Sequence, residues 1–251
     1  MNRLPEGRVV TRGPTPPGGS AVPPDFADAL AQGCDQLNIH AGSSDRERLL
    51  AYLEMLQRWN RVYNLTAIRD PRQMLTQHLL DCLSVVGPLQ RALSEGSPLP
   101  THQPVVLDVG SGAGLPGLVL ALAWSALEVD LVEPVGKKAA FLRQSVSELG
   151  LVGRVRVHGC RIQEVKLPRV PDLAICRAFA SLAEFVRLIA PLVAPSTRVF
   201  AMKGQRHEIE AEAAELAPPW QVVETVSLSV PGLDAARHLV RLGQHSESTH
   251  A

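Results

Sequence analysis

The sequence predicts an α/β protein: a mostly parallel seven-stranded sheet with helices on both faces, preceded by a helical segment. Three observations predict it. From Pro104 onward, short β-branched runs alternate with helical stretches, the pattern of parallel strands joined by helical crossovers. The last two runs, 221–230 and 238–242, are separated by a turn signal at Pro231-Gly232 and read as an antiparallel hairpin. Before Pro104, apolar residues recur only at helical spacing.

In chain order, residues 1–25 hold six prolines and four glycines and are expected to be a disordered extension. Residues 26–103 are expected to form a helical cap and linker. Ser44-Asp45-Arg46-Glu47 has the form of a capping box, and Leu49, Leu53, Leu56 and Trp59 follow it at helical spacing. Asp70-Pro71 reads as an N-cap and first helical residue, leading into Met74, Leu75, His78, Leu79 and Cys82. Residues 94–104, with three prolines and a glycine, read as a linker. The main domain is expected over 104–243. Its first five strands fall at 105–109, 128–133, 154–158, 172–176 and 198–202, with helices near 116–124, 137–149, 181–193 and 205–216. Residues 244–251 complete the chain as a flexible tail.

Composition narrows the function classes. The chain has 251 residues, 45% of them hydrophobic, enough for a large core. It has no apolar run of about 18 residues that would span a membrane. Pro5, Glu6 and Gly7 stand where a secretory leader would be apolar. Cys34, Cys82, Cys160 and Cys176 are scattered without a CxxC pair, so they read as reduced thiols of a cytoplasmic protein. No metal-ligand cluster is visible. Lys and Arg together number 25, as do Asp and Glu, so any nucleic-acid contact has to come from a local patch. Arg58, Arg61, Arg69 and Arg72, with Asp70 the one acid among them, form such a patch, in competition with an ordinary solvated helix face. Trp59, Tyr63 and His78 read as core residues. Lys203, at the end of the fifth strand, is a further candidate RNA contact.

The sharpest local feature is Val105-Val106-Leu107-Asp108-Val109-Gly110-Ser111-Gly112-Ala113-Gly114. An apolar strand ends on an acid, then turns on three glycines into a helix. Glycines allow a tight bend and close approach of a ligand to the main chain, and strand ends of an open α/β sheet form the ligand crevice. The spacing is G-x-G-x-G, with Leu115 where the dinucleotide fingerprint has its third glycine. Asp108 would repel a pyrophosphate but suits the cationic amino-acid end of S-adenosylmethionine. Glu133, ending the second strand, stands where an acid meets a ribose hydroxyl. Together these features predict a Rossmann-like, class I S-adenosylmethionine-dependent methyltransferase.

The fourth strand runs into Asp172-Leu173-Ala174-Ile175-Cys176-Arg177-Ala178-Phe179. It lacks the Asn/Asp-Pro-Pro-aromatic set of exocyclic-amine methylation. Cys176 reads as a small buried residue rather than a nucleophile. A ring nitrogen such as guanine N7 has a free lone pair and loses no proton, so positioning suffices. Arg177 is expected either to donate to guanine or phosphate or to pair with a strand-end carboxylate.

Six segments then carry a family resemblance. They are Arg58-Trp59-Asn60-Arg61-Val62-Tyr63-Asn64-Leu65-Thr66-Ala67-Ile68-Arg69-Asp70-Pro71, His78-Leu79-Leu80-Asp81, Asp108 through Gly117, Arg177-Ala178-Phe179-Ala180-Ser181-Leu182, Met202-Lys203-Gly204-Gln205 and Arg237-His238-Leu239-Val240. In this order they resemble the 16S ribosomal RNA guanine-N7 methyltransferases, also called glucose-inhibited division protein B, over residues 30–243. The resemblance implies a class I fold with an N-terminal helical cap, S-adenosylmethionine as methyl donor, and 16S rRNA or the small ribosomal subunit as partner; separately, the chain is expected to act as a monomer. It implies that Gly110 and Leu115 line the cofactor site, that Ile162 and Gln163 meet the adenine, and that Arg177 completes the site, to which the glycine turn itself adds Asp108, Gly112, Gly114 and Glu133. The family's second-strand acid is commonly Asp; Glu133 is one methylene longer. A small-molecule methyltransferase, a nicotinamide-dependent oxidoreductase and a non-catalytic ribosome-assembly factor are the alternatives.

Overall fold

The computed structural model describes residues 25–95 and 102–245. The expected extension before Asp25, the tail beyond residue 245 and the centre of the expected linker lie outside them. Among the described residues, five helices precede the sheet: α1 (Phe26–Gln36), α2 (Ser43–Tyr63), α3 (Pro71–Met74), α4 (Asp81–Leu83) and α5 (Val86–Ser94). Between α3 and α4 the chain widens into a π-helix over Leu75–Leu80.

Helix α2 begins earlier than the Ser44 capping box predicts. Its N-cap is Gly42, and Asp45, three residues on, accepts from the Gly42 N–H at 3.2 Å. Asp45 is therefore the reciprocal acid of the box, and Ser44 lies inside the helix. The start of α3 is as expected: Asp70 caps it by accepting from Gln73 N at 2.9 Å, and Pro71 occupies the first turn, where its missing N–H costs nothing.

The remaining elements alternate: β1 (Val105–Val109), α6 (Gly117–Ala123), β2 (Glu128–Val132), α7 (Gly136–Glu148), β3 (Val155–His158), β4 (Leu173–Arg177), α8 (Leu182–Ile189), β5 (Arg198–Lys203), α9 (Arg206–Ala214), β6 (Trp220–Ser227) and β7 (His238–Gln244). They build one sheet of order β3-β2-β1-β4-β5-β7-β6. The first five strands are parallel, and β7 joins β5 and β6 antiparallel. The β6–β7 connection is longer than the expected short turn. Strand β6 stops at Ser227, and the chain then lays Leu228, Val230 and Leu233 onto the core before β7 begins. The expected helix at 181–193 ends as an α-helix at Ile189 and tightens into a 3₁₀ turn over Ala190–Leu192, where Pro191 has no N–H to continue the ladder.

Side chains of a strand alternate between faces, and the two cores follow that period. Val106, Ile175, Phe200 and Met202 face one apolar cluster; Leu107, Ala174, Cys176, Val199 and Ala201 face the other. The first cluster also contains the buried faces of α1, α2, α5, α6 and α7, so the cap shares a core with one face of the sheet. The second is closed by Leu182, Phe185, Val186, Ile189 and Ile209 of α8 and α9.

Phe141 on α7 is the aromatic hinge of the first cluster. Its ring centroid lies 5.5 Å from that of Trp59, edge to face, and 6.3 Å from that of Tyr52, and each such pair adds about 0.5–1.5 kcal/mol to simple burial. Phe141→Ala leaves an unfilled void between α2 and α7. It should lower unfolding free energy by about 3–5 kcal/mol, read as a shifted urea midpoint with unchanged denaturant slope.

Candidate functional site

The site lies at the carboxyl ends of β1, β2, β4 and β5. After β1 the backbone reverses on Gly110, whose φ is +70°, and the N–H groups of Gly110 and Ser111 both donate to Val132 O, at 2.9 and 3.0 Å. This ties the glycine turn to the end of β2. A Cβ on Gly110 would stand 3.5 Å from the Phe179 ring, so Phe179, beyond β4, faces the turn. Glu133 closes the other side. Its Oε2 accepts from Gly112 N and its Oε1 from Val135 N, both at 2.8 Å. In this structure the acid expected at the ribose braces the glycine turn against the start of α7.

Asp108 is wholly buried. Its Oδ2 accepts from Gly117 N, the first residue of α6, at 2.9 Å, and Oδ1 has no hydrogen-bond partner among the described residues. Gly117 is required here, because a Cβ would come within 2.7 Å of Asp108 Oδ2 and 2.3 Å of Leu131 Cδ2. Burial outweighs the Gly117 N–H bond and the nearby Arg177 charge, and pushes the Asp108 carboxyl up from 3.8 to about 7. Leu115 is buried in the first apolar cluster, and Ile162 in the second at the 3₁₀ turn after β3. Gln163 is exposed on the same turn.

Arg177 is the last residue of β4. It donates to Asp81 Oδ2 at 2.9 Å and to Gln77 O at 3.0 Å. The pairing carboxylate thus belongs to the helical cap and not to a strand end. The π-helix makes this geometry possible: Asp81 N–H bonds back to Thr76 O and His78 O, leaving Gln77 O without its ordinary i+4 donor and open to the guanidinium. Arg237, just before β7, adds a second bond to Asp81 at 3.1 Å. His78 is buried, as expected for a core residue, 3.0 Å from Thr66 Oγ1 and 3.4 Å from Arg177 Nη2. Burial and then the Arg177 charge push His78 down to about 4, so it is neutral at physiological pH.

A cavity of about 380 Å³ opens beside Arg177, lined also by Phe179, Lys203, Glu212, Arg237 and His238. Lys203 is not the free surface cation expected of an RNA contact. Its Nζ sits 2.7 Å from both oxygens of Glu212, with the side chain only 11% exposed. Cys176 is buried and its thiol raised far above the usual range, chiefly by burial. The backbone after β4 is strained, since Ala178 has φ +53°, a conformation rare outside glycine.

Arg58 and Arg61 are exposed on the end of α2. Arg69 donates to Asn64 Oδ1 at 2.6 Å, and Arg72 pairs with Asp25 at 2.8 Å. Arg61 and Arg69 both line a cleft of about 280 Å³. Trp59 packs on the core as expected. Tyr63 does not: it stacks on Trp59 with centroids 5.0 Å apart but remains 43% exposed, because the last turn of α2 runs past the core.

Sequence reasoning missed Tyr52, Asp81, Phe179 and Glu212 as site-forming residues. Tyr52 OH donates to Ala113 O within the glycine turn at 2.8 Å; a lone hydroxyl in an otherwise apolar stripe was its only signal. Asp81 lies in one of the six segments but has no charge partner within helical reach, and nothing in the composition of α9 marks Glu212.

The open sheet of order β3-β2-β1-β4-β5-β7-β6, with its glycine turn after β1 and acid after β2, defines a class I methyltransferase. More particularly, the chain belongs to the GidB family, rRNA small subunit methyltransferase G, whose profile matches residues 45–240. It is 47% identical over 224 residues to the "Ribosomal RNA small subunit methyltransferase G" of Bordetella avium (strain 197N), covering 88% of this chain and 96% of that one. The protein of the same name from Leptothrix cholodnii is 47% identical over 85% of this chain and 93% of its own. That of Chromohalobacter salexigens is 45% identical over 85% and 95%.

Two substitutions test this geometry. Tyr52→Phe orphans Ala113 O in the core and should cost about 1–3 kcal/mol, read by thermal or urea unfolding. Asp108→Asn tests the buried carboxyl. Its folded pKa of about 7 stands above the ordinary 3.8, so the folded chain holds the proton more tightly. The stabilisation from that proton is complete below about pH 4 and is lost as pH rises through 7. The Asn side chain does not titrate, so the unfolding free energy of Asp108→Asn relative to the wild type should rise from pH 4.5 and level off above about pH 7. A pH-independent difference would place the titration elsewhere.

Proposed function

We propose that this protein transfers a methyl group from S-adenosylmethionine to N7 of a guanine in 16S rRNA of the small ribosomal subunit. The observation that carries the reading is a ligand crevice with an electrostatic clamp, where the described thiols and imidazole closest to the clamp are held in weakly reactive forms and Asp108 faces the cationic end of the donor. Cys176 and Cys82 are buried thiols with raised pKa values, and His78, held near 4, is a weak proton acceptor. Guanine N7 requires neither group, because its lone pair is free and no proton leaves. Family membership supports the rRNA substrate.

The residues fit the methyl donor. The unpartnered Asp108 Oδ1 is a buried acceptor that a cationic amino-acid end would satisfy, and ionisation of Asp108 is favoured when that cation arrives. Gly110, Gly112 and Gly114 leave the backbone open to close approach. Glu133 has lone pairs beyond the two its backbone partners use and can accept ribose hydroxyls without leaving the turn. Leu115 and Ile162 supply apolar walls, and Gln163 a polar edge for the adenine. Bound there, S-adenosylmethionine supplies a methyl group made electrophilic by its sulfonium. Arg177 positions the strand-four loop against that crevice. Exposed Arg58 and Arg61, with Arg69 and Arg72, whose partners are exposed and weakly held, meet RNA phosphate and give the local patch that a neutral chain needs.

The test is transfer of radiolabelled methyl from S-adenosylmethionine to small subunits from a strain lacking this protein, followed by nucleoside analysis. Label is expected in 7-methylguanosine. Gly110→Asp, which puts a charged side chain at φ +70° against Phe179, should abolish it. Arg177→Ala should reduce it by about 100-fold or more, since it also leaves Asp81 short of a partner. Label in another nucleoside would refute the N7 assignment, and label only in small molecules would refute the rRNA substrate.

A further inference from the structure

We infer that the Lys203–Glu212 pair is the base-reading element of the 380 Å³ cavity, and that it selects guanine by its O6 and N1–H. This inference rests on guanine N7 as the methyl acceptor. The cavity adjoins the crevice through Phe179, whose ring faces Gly110 on one side and lines the cavity on the other. Its volume is within the range that holds small ligands, and a base taken out of a helix is read on its Watson–Crick edge and packed on aromatic faces.

Hydrogen-bond capacity gives the selectivity. Lys203 has three N–H donors, and two are taken by Glu212 Oε1 and Oε2. Glu212 has about four acceptor positions. Lys203 uses one on each oxygen, and the Leu182 N–H, at 2.7 Å, takes the second on Oε2. One donor on Lys203 and one acceptor position on Glu212 Oε1 are left side by side. Guanine offers the complement, an acceptor at O6 beside a donor at N1.

Orientation excludes adenine. Lys203 ends β5, the strand next to β4 and the crevice, and Glu212 on α9 stands directly beside it, 2.7 Å from its Nζ. A purine with N7 toward the crevice puts its 6-substituent, the neighbour of N7, against Lys203, and N1 against Glu212. Guanine then meets donor with acceptor at both positions. Adenine turns its amino group on an ammonium and its N1 lone pair on a carboxylate, two repulsive contacts of the kind that discriminate strongly.

The experiment uses the full chain and small subunits reconstituted with guanine or with 2-aminopurine at the methylated position. The analogue keeps N7 but lacks O6 and the N1 proton. Wild-type kcat/KM should fall by about 100-fold or more on the analogue. Lys203→Met and Glu212→Gln should each lose about 10- to 100-fold on guanine and shrink the guanine-to-analogue ratio at least tenfold. Lys203→Arg, which keeps a charged donor, should restore most of that ratio. Because the pair also pins α9 to β5, the double exchange Lys203→Met with Glu212→Leu fills the space without charge and serves if a single variant fails to fold. A ratio that stays at its wild-type value in the folded variants, whatever the absolute rate, overturns the inference, since a merely structural lesion slows both substrates alike. Wild-type enzyme that makes no 7-methylguanosine on unsubstituted subunits removes the functional reading itself, and this result is separately visible.

Discussion

The structure depends on one buried carboxylate. Asp81, 2% exposed, stands at the junction of the π-helix and α4, and receives Arg177 from the end of β4 and Arg237 from the approach to β7. Burying an isolated charge costs several kcal/mol, recovered only when geometry and hydrogen bonding are complete. Two guanidinium groups complete it here, and the requirement fixes three distant segments at once. The cap, the parallel half of the sheet and the hairpin that closes it are locked at one point. That point borders the cavity beside the crevice.

A second lock acts from within the core. The Tyr52 hydroxyl on α2 bonds to Ala113 O inside the glycine turn, while Phe141 packs α7 against the same stretch of α2. The cap therefore reaches both sides of the crevice, at the turn after β1 and at the end of β4. Strain is confined between these anchors: Ala178, at φ +53°, follows Arg177 directly and carries the chain to Phe179. A strained residue persists only where its surroundings over-determine it, and the Asp81 clamp provides that constraint.

The sheet was legible in the sequence because its signals are local. Apolar runs, glycines and proline turns are printed in chain order, and the strand boundaries fell within a few residues of the structure. The glycine turn and Glu133 were legible for the same reason. What escaped were interactions between segments far apart in sequence. Asp81 and Arg177 are separated by 96 positions and Tyr52 and Ala113 by 61, and no periodicity encodes such a meeting. The π turn that frees Gln77 O differs from an ordinary helix by one hydrogen-bond register, which an apolar stripe does not reveal. The pairing of Lys203 escaped for a related reason: Glu212 lies on α9, across a turn from β5, at no spacing that a strand or helix period marks.

These constraints bear directly on the chemistry. In the proposed reaction, attack by a neutral ring nitrogen moves no proton to the protein, so no tuned acid or base is needed at the transferred methyl, and Asp108, at about 7, serves the cationic end of the donor instead. His78 is neutral and the thiols of Cys82 and Cys176 are protonated. The burden falls on alignment, in which an error of about 1 Å can cost 100-fold. A site of that kind is served better by rigid cross-links than by reactive side chains. The half-buried pairs around it, Asp81 with its two arginines and Lys203 with Glu212, are such cross-links, and each lines the cavity. Stability and positioning therefore share the same residues in this fold, so substitutions there are expected to lower both together.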